Sequence, residues 1–597
     1  MKRFIAILLT LLIMMPVFTA CTDIDKDTLA ESSTSQNPKP TGSQTLPANG
    51  DDTDKGFDPM MIEKYYTFKL SEDGASYTVE KYKGDEKNIV IPRQYKGKDV
   101  TVIANGAFID VRCDSVIIPN TVTEIEGGSF DCWCWASIAN CGPKKVIFET
   151  GIKLDKINGD AFSDCDALES IEIPDGVTSI GKSAFAECRN LKEIKLPDTV
   201  TEIGEMAFEL CTSLEEIKLP EKITEIKNYT FMNATSLKSI VIPDEVKRIG
   251  SYSFFECRAL KSVVLPEGLE RLDGGAFRKC SSLEAICIPA SVKAIDDSFS
   301  SCSSVQSITV HKDNSVYASI GNCLIERESK TLIQGCNTSV IPEDGSVERI
   351  DGNAFTHCEG LKSINIPASI IITGDTFQGC GALESISCAD DHEKYYVRDN
   401  CLIERETKKL ILGTLKSIIP DDGSVETIGA YSFFGKDISG RFTVPEGVTV
   451  IEERAFSSCL KMTEIDLPKS LTEVQEAAFA GSGLVNVTLP NGVEVSNNLF
   501  LGCRNLTTVN ISTGTTSIGD IAFGLCTSLK TVTVPRTVES ISMSFYQIFE
   551  FEKIIYDGTM EEWEAIDKHV NWCDNIEVVK CIDGDIVLNI KTEPPVF

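Results

Sequence analysis

A 23-residue unit recurs along the middle of the chain, and its period constrains the fold more than any other feature. Ile173-Pro174, Leu196-Pro197, Leu219-Pro220, Ile242-Pro243, Leu265-Pro266 and Ile288-Pro289 follow one another at that step. Phe162, Phe185, Phe208, Phe231, Phe254 and Phe277 keep the same step. A unit this short cannot bury its own apolar face. Repeats of about 20–29 residues therefore stack, each closing the core of the next, and the chain is expected to form a solenoid.

The unit from Leu191 to Cys211 (LKEIKLPDTVTEIGEMAFELC) shows how each position is used. Leu191, Ile194 and Leu196 are spaced L-x-x-L-x-L, with the last two on one face of a short strand. Pro197 ends that strand where no ladder donor is required. Val200 and Ile203 point inward from a second extended segment. Gly204 is expected to supply a left-handed turn, at a position where other copies carry Lys227, Asp273 and Asp296. Ala207 and Phe208 fill the far side of the coil, and Cys211 closes it. The Phe position continues at Phe299, Phe355, Phe377, Phe433, Phe456, Phe479, Phe500, Phe523 and Phe545. Three places depart from the pattern: Lys436 and Ser482 stand where Cys is usual, and Ile511-Ser512 replaces an Ile-Pro pair.

The sequence Ile-x-Leu/Ile-Pro-x-x-Val-x-x-Ile-Gly-x-x-Ala-Phe-x-x-Cys-x-x-Leu resembles the BspA-type leucine-rich repeats of bacterial and some protist surface proteins. The resemblance covers roughly residues 65 to 580. It implies a repeat solenoid of short parallel β-strands with short helical or turn segments on the convex side. Two steps are longer, 53 residues from Pro289 to Pro342 and again from Pro367 to Pro420. Both hold one motif, Asn322-Cys323-Leu324-Ile325-Glu326-Arg327 before Leu332-Ile333, and Asn400-Cys401-Leu402-Ile403-Glu404-Arg405 before Leu410-Ile411. Apolar runs around a short polar turn read as a β-hairpin. Two such inserts make a 78-residue super-repeat and are expected to widen the coil or project from one edge. The resulting organisation is a lipoprotein signal peptide at 1–20, a disordered tether at 21–57 and an N-terminal cap at 58–100. The solenoid follows at 101–545, with hairpins near 311–340 and 389–418, and a C-terminal cap at 546–597.

Lys2 and Arg3 precede the uncharged stretch Phe4 to Phe18, which leads to Thr19-Ala20-Cys21. A positive n-region, an apolar h-region and small residues at the end describe a secretory signal. Cys directly after Thr-Ala resembles a bacterial lipobox, although Phe18 stands in place of the usual Leu. Cys21 is then the lipid anchor, and the protein is exported and lipid-anchored at the bacterial cell surface, touching the membrane through that lipid. A plain cleaved signal is the alternative. An uncleaved helix fits less well, because a span needs about 20 apolar residues. From Thr22 to Phe57 the chain has almost no large apolar residue and reads as a disordered tether. No second apolar span is visible from Thr592 to Phe597, so the anchor is expected at the front only.

With 89 acidic against 57 basic residues the formal net charge is -32. Such a surface repels phosphate backbones, so nucleic acid is not an expected partner. The 23 cysteines would suggest disulfides in an exported protein. Eleven of them, however, fall three residues after the repeat Phe: Cys165, Cys188, Cys211, Cys257, Cys280, Cys302, Cys358, Cys380, Cys459, Cys503 and Cys526. One residue per coil forms a column, and a column of buried thiols follows. Cys132, Cys134 and Cys141 lie in an insertion and read as one local disulfide or as packed thiols rather than a metal site. His311, His357, His392 and His569 are scattered, and no phosphate-binding loop, dinucleotide fingerprint or nucleophile elbow accompanies them. No catalytic, cofactor-binding or metal-ligating residue is assigned, no cofactor is expected, and the chain does not read as an enzyme.

Residues before and after the central Ile of each strand face outward. Glu193/Lys195 and Glu216/Lys218 are charged, whereas Ser239/Val241, Ser262/Val264, Ala285/Cys287 and Ser307/Thr309 are small and uncharged. Ser363/Asn365, Ser385/Ser387, Thr508/Asn510 and Thr531/Thr533 are polar and uncharged. On so acidic a chain, Ser239, Val241, Ser262, Val264, Ala285, Cys287, Ser307 and Thr309 form the candidate binding strip. Plain strand propensity on a solvated sheet is the competing explanation. The resemblance implies a binding or adhesion module for an extracellular protein or glycan. The alternative is a passive surface component without a specific ligand.

Overall fold

The computed structural model describes residues 59–132, 141–548, 550–573 and 575–591. The signal peptide, Cys21, the tether and Cys134 lie outside the described residues. The chain divides into two compact units, Met1–Ala276 with Ile286–Asp296 and Thr309–Ala318, and Phe277–Ala285 with Asp297–Ile308 and Ser319–Phe597.

Both units are solenoids whose coils build three ladders. In the first unit the strands Asn88–Val90, Ser115–Ile118, Lys145–Phe148, Ser170–Glu172 and Glu193–Lys195 form one parallel sheet, with Ile171 opposite Ile194 and Glu172 opposite Lys195. The segment after the proline adds a second ladder of two-residue strands, Lys156–Ile157, Ser179–Ile180 and Glu202–Ile203. The third ladder runs through the turn around the repeat Phe. There Ser183, Phe185 and Glu187 N–H donate to the carbonyls of Glu205, Ala207 and Glu209 at 2.8, 3.0 and 2.7 Å.

That third ladder depends on an unusual backbone. The residues two before and two after the Phe are left-handed: Ser183 and Glu187 at φ 52° and 61°, Met206 and Leu210 at 59° and 57°. Alternating handedness turns every second N–H toward the next coil. A non-glycine residue there costs about 1–2 kcal/mol, and the inter-coil hydrogen bonds offset it. Gly204 does not take the left-handed role anticipated for it, since Met206 and Leu210 hold those positions. A Cβ on Gly204 would lie 2.4 Å from the carbonyl carbon of Gly181, so glycine is needed there for close approach of two coils.

The interior is filled in columns. Phe108, Phe130, Phe162, Phe185, Phe208, Phe231 and Phe254 stack ring on ring in the first unit, at centroid separations of 4.8 to 5.8 Å. Phe433, Phe456, Phe479, Phe500, Phe523 and Phe545 do the same in the second, at 4.9 to 5.8 Å. Offset aromatic pairs add about 0.5–1.5 kcal/mol each beyond area burial. Beside the rings runs the cysteine column, in which all eleven repeat cysteines are buried. Cys188, Cys211 and Cys257 in the first unit, and Cys459 and Cys526 in the second, each donate S–H to the Phe carbonyl one coil earlier, at 3.1–3.2 Å.

The two long steps hold antiparallel hairpins, Cys323–Glu326 with Thr331–Gln334 and Cys401–Glu404 with Lys409–Leu412. They do not project from an edge. The returning strand enters the second ladder, placing Leu332 beside Ile350 and Leu410 beside Ile428 in parallel register. The hairpin coil has no Phe in the ring column, although Tyr317 and Tyr395 of the inserts are buried. The next Phe lies over Gly335 or Gly413 so closely that a Cβ would meet the Phe355 or Phe433 ring at 2.2 or 2.1 Å. The segments around the repeat Phe are turns nearly throughout, with one short 3-10 helix at Gly374–Phe377.

At the N-terminal side, Tyr66–Leu70 pairs antiparallel with Tyr77–Tyr82, which passes into parallel pairing with Lys98–Ile103. At the C-terminal side, Thr559 and Glu562 form a capping box on the helix Met560–Ala565, whose Trp563 is buried. The antiparallel strands Asn575–Cys581 and Gly584–Lys591 follow it.

Candidate functional site

The eight strip residues fall on strands of the first ladder but differ in exposure. Ser239–Val241 lies parallel to Ser262–Val264, with Ser239 opposite Ser262 and Val241 opposite Val264. Ser239 and Val241 face solvent, Val241 at 48% exposure, while Ile240 between them is buried. Ser262 and Val264 are half-buried. Cys287 and Thr309 in the first unit are half-buried, and the Thr309 hydroxyl donates to the Cys287 sulfur at 3.2 Å. Ala285 and Ser307 belong to the second unit and are half-buried as well. None of the eight lines the cavities described next.

A cavity of about 480 Å³ in the first unit lies on the second ladder, lined among others by Lys182, Glu205, Glu225, Lys227 and Arg248. Its charges are already satisfied. Lys182 pairs with Glu205 at 3.3 Å and Arg248 with Glu225 at 3.2 Å. Arg248 also reaches the buried Asp273 at 2.5 Å, and Arg271 pairs with the same Asp273 at 2.5 Å. Asp273 stands at the repeat position of Gly204, so its carboxylate replaces the close backbone approach with a link between two arginines. This is a structural charge ladder rather than a vacant site.

In the second unit the outward rungs change character. Arg441 holds Asp466 at 3.2 Å and also pairs with Glu464, so one guanidinium serves both carboxylates of the strand Met462–Asp466. Thr443 donates to Asp466 at 3.1 Å. Farther on the rungs are uncharged: Asn510 Nδ2 donates to Thr488 Oγ1 at 3.2 Å, and Thr533 Oγ1 donates to Asn510 Oδ1 at 3.1 Å. The row is therefore oriented, hydroxyl to amide to hydroxyl.

Two cavities open along this row. One, of about 680 Å³, lies between Met462–Asp466 and Asn486–Thr488, which belong to separate sheets. The other, of about 500 Å³, continues past Thr513 and Thr533 to Ile555 and Ile582. Asn491 and Ser512 line both. Sequence reasoning noted the loss of proline at Ser512 but read it only as a degraded copy. In the structure Ser512 lines both cavities, whereas its counterparts Pro490 and Pro535 each line one.

The titratable groups elsewhere serve the fold. Burial pushes Cys503 up to about 11 and Cys459 up to about 12, so the column thiols stay protonated. Lys436, at the Cys position of its coil, is buried and donates from Nζ to the Phe377 carbonyl at 2.9 Å. Burial lowers its pKa. Cys132 lies 3.7 Å from the Phe130 carbonyl that Cys165 reaches at 3.1 Å, so it is packed as a thiol. His311, His392 and His569 each accept a backbone N–H from two residues on, at 3.2 Å, and so shape turns. Among the described residues no group of His, Cys, Asp and Glu is placed to hold a metal ion. No helix among them is long and apolar enough to cross a membrane.

The ladders, the ring column and the thiol column recur at the spacing of the sequence repeat, and a family comparison agrees. Residues 85–141, 136–237, 224–332, 329–418 and 426–552 match the family described as the BspA type leucine-rich repeat region. The chain belongs to the BspA-type leucine-rich repeat family. Among solved structures it is similar to a leucine-rich cell surface protein of Faecalibacterium prausnitzii, at 23% identity over 88% of this chain and 99% of that one, with a TM-score of 0.34. It is similar to a leucine-rich repeat protein of Bacteroides ovatus at 24% identity, covering 80% and 94%, with a TM-score of 0.40. A Treponema pallidum leucine-rich repeat protein shares 27% identity over 37% of this chain and 78% of its own, at a TM-score of 0.23. No match is found among curated proteins. The BspA-type family assignment thus rests on the repeat itself, over most of the chain.

Proposed function

We propose that this BspA-type protein is displayed outside the cell, held by a lipid on Cys21, and binds an extracellular protein or glycan through the outward face of its first strand ladder. The observation that carries the reading is the change along that face. In the first unit charged rungs such as Glu193 and Lys195 are followed by exposed Val241, and in the second unit the row Thr488, Asn510 and Thr533 is uncharged, on a chain of net charge -32. Uncharged, partly apolar surface on an acidic solenoid is where a partner is met without electrostatic repulsion. Repeat solenoids present such extended faces for binding.

Attachment of the protein to extracellular matrix and to glycan-coated surfaces tests the reading. A double Val241→Glu, Val264→Glu variant and an Asn510→Asp variant are compared with the parent at equal thermal stability. Loss of attachment in at least one of them is expected. Full attachment in both would remove the outward face from the function. Metabolic palmitate labelling tests the anchor: it is expected to vanish in Cys21→Ala, and labelling that persists would refute a lipid on that residue.

A further inference from the structure

The reading above leaves the ligand open; the groove in the second unit narrows it. We propose that this groove, running along the outward row from Asp466 to Ile555, binds a linear, uncharged glycan. The inference rests on the outward ladder face being the binding face.

Three observations carry it. First, the space is elongated and continuous: the 680 Å³ and 500 Å³ cavities share Asn491 and Ser512 and follow successive coils rather than sinking into one. Second, side chains that both donate and accept line it, Thr488 in the larger cavity and Thr533 in the smaller, with Asn510 on the rung between them bonded to both. Beyond the bonds Thr533 to Asn510 and Asn510 to Thr488, each amide has a second N–H and each hydroxyl a further lone pair for a ligand. These inter-rung bonds fix the amide orientation, so a ligand meets pre-positioned donors and acceptors and less ordering is lost on binding. Third, the charges balance: Arg441 and Lys469 offset Glu464 and Asp466 at one end, and Lys580 offsets Asp557 at the other, so the lining carries little net charge.

Those features select among ligand classes. A folded protein partner is held mainly by buried aromatic or apolar anchors, and here the exposed apolar side chains, Ile555 at 39% and Ile582 at 69%, lie at one end only. An acidic polysaccharide would meet the field of a chain with net charge -32. A neutral sugar chain has many hydroxyls that donate and accept in the way the rungs do. Successive coils rise by about 4.8 Å, close to the advance of one sugar ring, so consecutive rings meet consecutive rungs. Ile555 and Ile582 then offer an apolar surface to the C–H face of a terminal ring.

Binding of the full chain to neutral hexasaccharides (β-1,4-glucan, β-1,4-mannan, β-1,4-xylan and α-1,4-glucan) is measured by calorimetry, with hyaluronan fragments as the charged control. At least one neutral hexasaccharide is expected to bind, hyaluronan is expected not to, and Asn510→Ala, which releases the Thr488 and Thr533 hydroxyls from their fixed orientation, is expected to weaken binding at least about tenfold. Thr488→Val should weaken it similarly, and Lys195→Ala, in the other unit, should not. Thermal midpoints matched to the parent exclude misfolding, and Thr533→Val replaces any variant that fails that control. Binding of none of the four sugars, or binding indifferent to all three groove variants, overturns the proposal. If the sugars fail while attachment to a matrix protein is still lost in Val241→Glu, Val264→Glu, the glycan is refuted and the binding function stands. If neither sugars nor matrix engage any variant-sensitive surface, both fail.

Discussion

Lys436 offers the sharpest test of how the interior is balanced. It occupies the column position that Cys fills in most coils, it is 1% exposed, and its ammonium donates from Nζ to the Phe377 carbonyl at 2.9 Å. Burial holds its pKa below the ordinary 10.5, while the neighbouring Cys380 and Cys459 act weakly in the opposite sense. The unfolded chain therefore holds this proton more firmly than the folded one. Stability is lowest below the depressed folded pKa and rises with pH until 10.5 is passed. Lys436→Met keeps the volume and removes the ion. The gain is the desolvation of a buried ammonium, several kcal/mol; the loss is one hydrogen bond, with a stranded carbonyl, of about 1–2 kcal/mol. The net at pH 7 is a stabilisation of about 1–3 kcal/mol, a roughly 5- to 150-fold smaller local opening constant. Hydrogen exchange of peptides spanning residues 377–462, compared between parent and variant at the same pH, reads this directly. The advantage should shrink between pH 7 and pH 9.5. Faster exchange in the variant at pH 7, or a difference independent of pH, would refute the reasoning.

Other consequences are as accessible. Gly204→Ala forces a Cβ against the Gly181 backbone, and overpacking of this kind costs about 1–3 kcal/mol; an unchanged denaturation midpoint would show that the coils can part without penalty. Burial, followed by the Glu187 carboxylate, raises Asp164 to about 6. Its contribution to stability is present below the ordinary 3.8 and is lost as pH climbs through 6. Asp164→Asn should therefore melt higher than the parent at pH 7, with the gap closing toward pH 4; a gap that widens on acidification would reverse the assignment. Alkylation at pH 8 should leave the column thiols, Cys211 and Cys503 among them, unmodified in the folded protein and label them in denaturant. Rapid native labelling would contradict their burial.

The period made the inward residues legible, since a ring or a thiol every 23 positions can only stack. It could not reveal backbone handedness. Met206, Leu210 and Ile521 are left-handed yet carry no compositional mark, because ladder bonds between coils rather than the residue impose the conformation. Gly204 was visible, but its reason, the Gly181 backbone, belongs to another coil. The hairpins could be read from Cys323-Leu324-Ile325-Glu326, whereas their entry into the ladder depends on a register with Arg349–Ile350 that no local pattern carries. The strip at Val241 follows from alternation within one strand. The groove near Ser512 follows from two strands failing to join a common sheet, and only assembled coils reveal that.

The paired left-handed positions have a consequence for how such a protein can change over generations. Most coils carry two residues whose backbone strain is set independently of core and outward face, and the strain varies with the side chain: low at Asn233 or Gly502, high at the β-branched Ile521. A lineage that swaps these turn residues can raise or lower the stability of single coils in steps of about a kcal/mol. Destabilising novelty among the outward rungs can thus be compensated at the opposite side of the same coil, leaving the ligand-facing surface free to diversify quickly while the scaffold persists.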